Sequence, residues 1–128
     1  MHAVAGGEVG IITANAAQLT PAHFAACNVS ATIPLVIAGM EGQPEFREAI
    51  LEERGTLDSA RIEAEVTAVA RAMVAKNPNI RSILLECSDL PPYAHAVQAA
   101  TGRPVFDFVT MINHVRHAVA RRPYHGGM

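Results

Sequence analysis

The chain has 128 residues, half of them hydrophobic and 17% charged. That size and composition fit one globular domain with a sizeable core and exclude a disordered chain. A net charge of −2, no Trp, only four Phe and two Tyr, and no basic stripe exclude a nucleic-acid reader built on charge or stacking. Apolar runs stop far short of the roughly 18 to 20 residues that span a bilayer, and no basic region followed by an apolar stretch opens the chain. A cytoplasmic protein with no membrane partner is expected.

Residues 1–8 read as a flexible lead-in, a poor strand or helix. Residues 9–13 (VGIIT) form a continuous β-branched run, as in a strand buried on both faces. Thr20 followed by Pro21 marks a helix start, and that helix carries Phe24 and ends near Asn28. Residues 34–38 (PLVIA) read as a second strand, and residues 39–43 as a loop that can also serve as a flap. Pro44 opens a short helix carrying Phe46, Ile50 and Leu51, stopped by Gly55.

The longest predicted helix covers residues 58–76, capped by Asp58 or Ser59, with Ile62, Val66, Val69 and Met73 in one apolar stripe and Glu63, Glu65 and Arg71 on the wet side. Residues 82–86 (SILLE) read as a third strand. The next helix, capped by Ser88 or Asp89, starts through Pro91 and Pro92 and stops at Gly102. Residues 104–106 (PVF) read as a short fourth strand. Asp107 caps a last helix carrying Val109, Ile112, Val115 and Val119, closed by Arg121, Arg122 and Pro123. One α/β lobe over residues 9–121 follows, with a loose tail over residues 122–128.

Right-handed crossovers turn this order into a flavodoxin-like three-layer lobe with a four-stranded parallel sheet. In that winding, strands one and three are neighbours, and ligands bind at the carboxyl ends of the strands where the winding reverses. Strand one ends in Thr13, Ala14 and Asn15; strand three ends in Glu86, Cys87, Ser88 and Asp89.

Two cysteines in a chain without an export signal are expected to be free thiols. Cys87, between a buried strand and a helix start, is the candidate catalytic residue. Amides of Ser88 and Asp89 at a helix N-terminus would lower its pKa, and a thiolate is a carbon base as well as a nucleophile. The competing reading makes Cys87 a small hydrophobe that closes the strand. Thr13, Asn15, Ser88 and Asp89 are candidate substrate-binding residues, against plainer roles as a strand residue, a turn and helix caps. Glu86, last in a buried strand, needs a partner or an outlet to solvent. Cys27 reads as a packing residue within its helix. His23, His95, His114 and His117 read as surface or satisfied side chains. The six histidines show no metal spacing, so neither metal nor cofactor is expected.

Three segments carry a resemblance: VGIITANAAQLTPAHFAA, PLVIAGMEGQPEFREAI and LLECSDLPPYAHAVQAATGRPVFD. All three resemble the second, C-terminal lobe of the aspartate/glutamate racemase superfamily. The most specific part is Cys87-Ser88-Asp89-Leu90-Pro91 followed by the Gly-x-Pro-Val-x-Asp strand. The resemblance implies that Cys87 is a catalytic acid/base at a carbon alpha to a carboxylate. It further implies that Ser88 helps bind that carboxylate and that Thr13 and Asn15 lie in a substrate-touching loop.

Members usually have two similar lobes, each giving a cysteine, whereas the hydantoin racemases and arylmalonate decarboxylases lie nearer, the latter with one cysteine in the second lobe. Cys27 does not match the first-lobe cysteine. The expected partners are a small carboxylate substrate and either a second copy of the chain or a first lobe. An isolated lobe is expected to turn over little. The alternatives are a decarboxylase-like single-cysteine enzyme and a non-catalytic binding or assembly lobe. A phosphoacceptor receiver would need acids where Thr13, Asn15 and Cys87 stand, and a flavodoxin would need loop aromatics the chain lacks.

Overall fold

In the computed structural model, residues 1–123 are described. Of the expected tail over residues 122–128, residues 124–128 lie outside them. The element order is α1 (His2–Ala5), β1 (Glu8–Thr13), α2 (Pro21–Ala26), β2 (Leu35–Gly39), α3 (Pro44–Phe46), α4 (Ser59–Lys76), β3 (Ile80–Leu85), α5 (Ala94–Thr101), β4 (Val105–Phe106) and α6 (Phe108–Val119). The four strands form an all-parallel sheet in the order β2-β1-β3-β4, with β1 and β3 adjacent and the winding reversing between them. This is the flavodoxin-like lobe expected from the alternation of buried strands and helices. The lead-in differs in holding one helical turn, α1, whose C-cap Gly6 has φ 66°.

Local chemistry sets most boundaries. Thr20 and His23 cap each other's backbone at the start of α2, with Pro21 in its first turn. Asp58 accepts the amides of Ala60 and Arg61 at the start of α4. Gly102, at φ 64°, closes α5 in the left-handed region that favours glycine. Asp107 and Thr110 form a capping box for α6. After α3 the chain continues as one π-helical turn over Arg47–Leu51, so the short helix ends before Gly55.

The main core lies on one face of the sheet. Alternation along β1 and β3 sends Ile12, Ile83 and Leu85 to that face, where they meet Ile62, Val66, Ala70 and Met73 of α4 and Val97 of α5. Val69 is half-buried at the margin of the predicted stripe. Glu65 is not simply solvated: its carboxylate accepts the amides of Glu45 (2.8 Å) and Phe46 (2.9 Å), pinning α3 onto α4. Glu45 is buried and paired with Arg54 and Arg61, and it accepts the Asp58 amide, which holds its carboxyl below the usual range.

The opposite face is less completely covered. Val9, Ile11, Leu35 and Leu84 line an apolar hollow of about 530 Å³ roofed by α2 and the N-terminal turn. The α6 helix leaves the body with its apolar stripe exposed; Met111 is 62% and Val119 79% accessible. Among the described residues, no helix is long and apolar enough to cross a membrane.

Candidate active site at the carboxyl edge of the sheet

Three loops meet where β1, β2 and β3 end. From β1, Thr13 is buried and donates its hydroxyl to Glu86 Oε2 at 2.7 Å. Asn15 Oδ1 accepts the Ala17 amide at 3.0 Å and so caps a 3₁₀ turn over Ala16–Gln18. From β2, Glu41 reaches across Gly39 to accept the Ala16 amide at 3.3 Å, tying the second loop to the first. A Cβ at Gly39 would collide with the Glu41 carboxylate, so glycine leaves the path open. From β3 come Glu86, Cys87, Ser88 and Asp89.

Cys87 stands beyond the end of β3, half-buried, and packs on the edge of the main core. Its Sγ approaches Asp89 Oδ2 at 3.7 Å. The strand covers Ile80–Leu85, two residues earlier in start and one in end than the apolar run predicted, because residues 80 and 81 extend the ladder beside Glu8 and Val9. Cys87 therefore lies in a loop, not at the strand's last rung.

Two further expectations are corrected. Helical structure begins only at Pro91, with Leu90 as its N-cap, so neither Ser88 nor Asp89 caps it; they form a turn closed by the Leu90 amide on the Cys87 carbonyl at 3.1 Å. Pro91 and Pro92 carry no N–H, and the Tyr93 amide is already spent on the Leu90 carbonyl, so no helix N-terminus aims free amides at the thiol.

Nor is the resting thiol acidified. Burial pushes it up, and the negative charges of Asp89 and Glu86 push the same way, while the hydrogen bond from the Asp89 amide opposes them. Cys27, expected as packing, is the exposed C-cap of α2 and lies on the rim of the apolar hollow. Its helix ends at Ala26, two residues before the expected end near Asn28.

The edge thus gathers Thr13, Glu41, Glu86, Cys87 and Asp89. Ser88 is exposed beside the thiol, and Asn15 is engaged in its own turn. Glu41 was read only as part of a possible flap; the Gly39–Met40–Glu41 sequence after a strand, next to a loop with an uncapped amide, is the signal that it anchors instead. Residues 14–19, 40–43 and 86–90 contain three acids and no Lys or Arg. Among the described residues no group of three His, Cys, Asp or Glu is placed to hold a metal ion.

No family model matches the chain. In sequence it is 33% identical over 127 residues to dimethylsulfoniopropionate lyase 3 of Emiliania huxleyi (strain CCMP1516), covering 93% of this chain and 33% of that protein. It is 32% identical over 115 residues to the dimethylsulfoniopropionate lyase of Durusdinium sp. clade D, covering 85% of this chain and 38% of that protein. It is 40% identical over 70 residues to lyase 5 of Emiliania huxleyi (strain CCMP1516), covering 55% of this chain and 14% of that protein. The chain therefore spans well under half the length of these curated relatives.

In structure it matches unliganded arylmalonate decarboxylase with a TM-score of 0.59 at 19% identity, over 88% of this chain and 45% of the other. A second arylmalonate decarboxylase structure matches at 0.56 and 18%, over 87% and 44%. The chain thus shares its α/β fold with a part of arylmalonate decarboxylase that makes up a little under half of that protein.

Proposed function

We propose that the protein is a cofactor-independent, cysteine-dependent carbon-acid enzyme of the lyase type, which cleaves dimethylsulfoniopropionate or a close sulfonium analogue. The observation that carries this reading is the position of Cys87. It stands at the reversal point of the sheet, between a hydroxyl-bearing turn and two carboxylates, in a chain whose sequence relatives over nearly its whole length are named for that substrate.

The chemistry needs one base. The Cys87 thiolate removes a proton from the carbon alpha to the substrate carboxylate and becomes the thiol. The C–H electron pair forms the α,β double bond, and the Cβ–S bond breaks with its electrons going to sulfur. Neutral dimethyl sulfide and acrylate leave, and the thiol returns its proton to solvent through Asp89, whose carboxylate faces it. Racemisation, by contrast, asks for acid/base groups on opposite faces of one carbon, which a single thiol does not provide. The exposed Ser88 hydroxyl and the Ser88–Asp89 turn are the nearest groups to hold the substrate carboxylate, with Thr13 and Asn15 shaping the neighbouring loop.

Electrostatics supports the sulfonium reading over the arylmalonate one. Loops with three acids and no Lys or Arg repel a dianion and tolerate a zwitterion with a positive centre. The open edge fits a site completed by a second wall, either the further length the relatives possess or another copy of the chain.

The test is headspace chromatography of dimethyl sulfide, with acrylate measured in parallel, for the wild type and Cys87→Ser. Release that falls at least a hundredfold in the variant is expected. Release unaffected by Cys87→Ser, or exchange of the α-hydrogen of amino acids without any release, overturns the reading.

A further inference from the structure

We propose that Glu86, with the apolar hollow it faces, forms the subsite for a methylated organic cation, the sulfonium end of the substrate. The inference rests on the elimination reading for the identity of the ligand, and it assigns a specificity-determining residue which that reading leaves open.

Three observations place the subsite. First, the hollow is about 530 Å³, within the range of small-molecule sites, and its wall is made of side chains such as Ile11, Leu19, Phe24, Leu35 and Leu84. Second, Glu86 is the acid among its lining residues, which also include His2 and His23, each with its ring Nδ1 engaged by nearby backbone. Third, the buried Thr13 hydroxyl donates to Glu86 Oε2 at 2.7 Å, which fixes the carboxylate's direction.

An apolar wall with one oriented carboxylate suits a soft cation whose charge is wrapped in methyl groups. Such a cation is weakly hydrated, so leaving water costs it little, and it gains both methyl contacts and a counter-charge. A neutral thioether gains only the methyl contacts, and an anion is repelled.

The placement also links binding to chemistry. Glu86 and Cys87 are consecutive just past the end of β3, with Glu86 lining the hollow and Cys87 packed on the core side, so a ligand that serves both bends over the strand's end. The carboxylates of Glu86 and Asp89 oppose ionisation of the empty site. A cation seated on Glu86 offsets that charge and favours the thiolate when substrate is present.

The test uses Cys87→Ser protein, so that nothing turns over, and two probes measured by calorimetry at low salt: dimethylsulfoniopropionate and 3-(methylsulfanyl)propionate, which keeps the carboxylate but has an uncharged thioether sulfur. The sulfonium probe is expected to bind about tenfold more tightly, the scale of one partly desolvated charge pair. Adding Glu86→Gln, which keeps the shape and an acceptor for Thr13, is expected to bring the two affinities together; circular dichroism of this variant checks the fold. Equal binding of the probes to Cys87→Ser, a preference that survives Glu86→Gln, or binding of neither probe overturns the subsite. Cation-selective binding with no dimethyl sulfide release by the wild type refutes the lyase reading and leaves the subsite standing; release without selectivity does the reverse.

Discussion

The two faces of the sheet are built from the same strands and serve different ends. On one face, Ile12, Ile83 and Leu85 interlock with α4 and α5 in the main core. On the other, Val9 and Ile11 are shielded from water but border a hollow and take no part in that core. Neighbouring residues of one strand thus divide between a face that holds the fold and a face that keeps space. The difference teaches where function can be placed at low cost to stability, since a cavity beside an independent core can be shaped without unpacking it.

The sharpest way to break the comparison is a pair of truncations in β1. Ile12→Ala removes a fully buried side chain from a packed environment and is expected to cost about 3–5 kcal/mol in urea unfolding. Ile11→Ala, one residue away, only enlarges an existing hollow and forfeits fewer contacts, so about 1–2 kcal/mol is expected. Equal losses would show that both faces carry the fold. Between these falls Gly10→Ala. Its Cβ would meet Met73 Cε at 2.5 Å on the closed face; methionine yields, so a loss of about 1–3 kcal/mol is expected, partly relieved by Met73→Leu.

The contrast extends to the two amphipathic helices. α4 is clamped between the sheet and α3, whereas α6 carries Met111, Ile112, Val115 and Val119 into solvent. Residues 108–128 also hold three arginines and no acid, while all twelve acids lie earlier in the chain. Such a patch invites a partner. Sedimentation equilibrium is expected to show concentration-dependent association of the wild type, weakened at least tenfold by Met111→Lys with Ile112→Lys. A monomer at all concentrations would make α6 a free-standing arm.

Much of this was legible from the residues. Buried strands announced themselves as unbroken β-branched runs, and helix starts as Thr20-Pro21, Asp58 and Asp107, because those signals are local. The neighbouring of β1 and β3 followed from the flavodoxin-like winding that the strand–helix alternation suggested. What was not legible depended on contacts distant in sequence. Glu65 reads as solvated until α3 folds against it, and Glu86 reads as misplaced until Thr13, far away in the chain, supplies a hydroxyl. The two prolines after Leu90 looked like a helix start and are one, but they also strip it of the amides that the Cys87 expectation needed.

The two cysteines give the smallest effect and the finest distinction. Cys27 is exposed on the open side, while Cys87 is half-buried beside Asp89 and Glu86. Burial and both carboxylates disfavour the Cys87 thiolate, so at neutral pH iodoacetamide is expected to alkylate Cys27 first. Cys87 should follow as pH rises past the range of an ordinary thiol. Asp89→Asn deletes one negative neighbour and keeps the backbone amide that stabilises sulfur, so its Cys87 alkylation midpoint should move to lower pH while that of Cys27 stays fixed. A midpoint that moves upward in Asp89→Asn would mean that Asp89 assists deprotonation of the resting thiol, and the cation's part in forming the thiolate would then fall away.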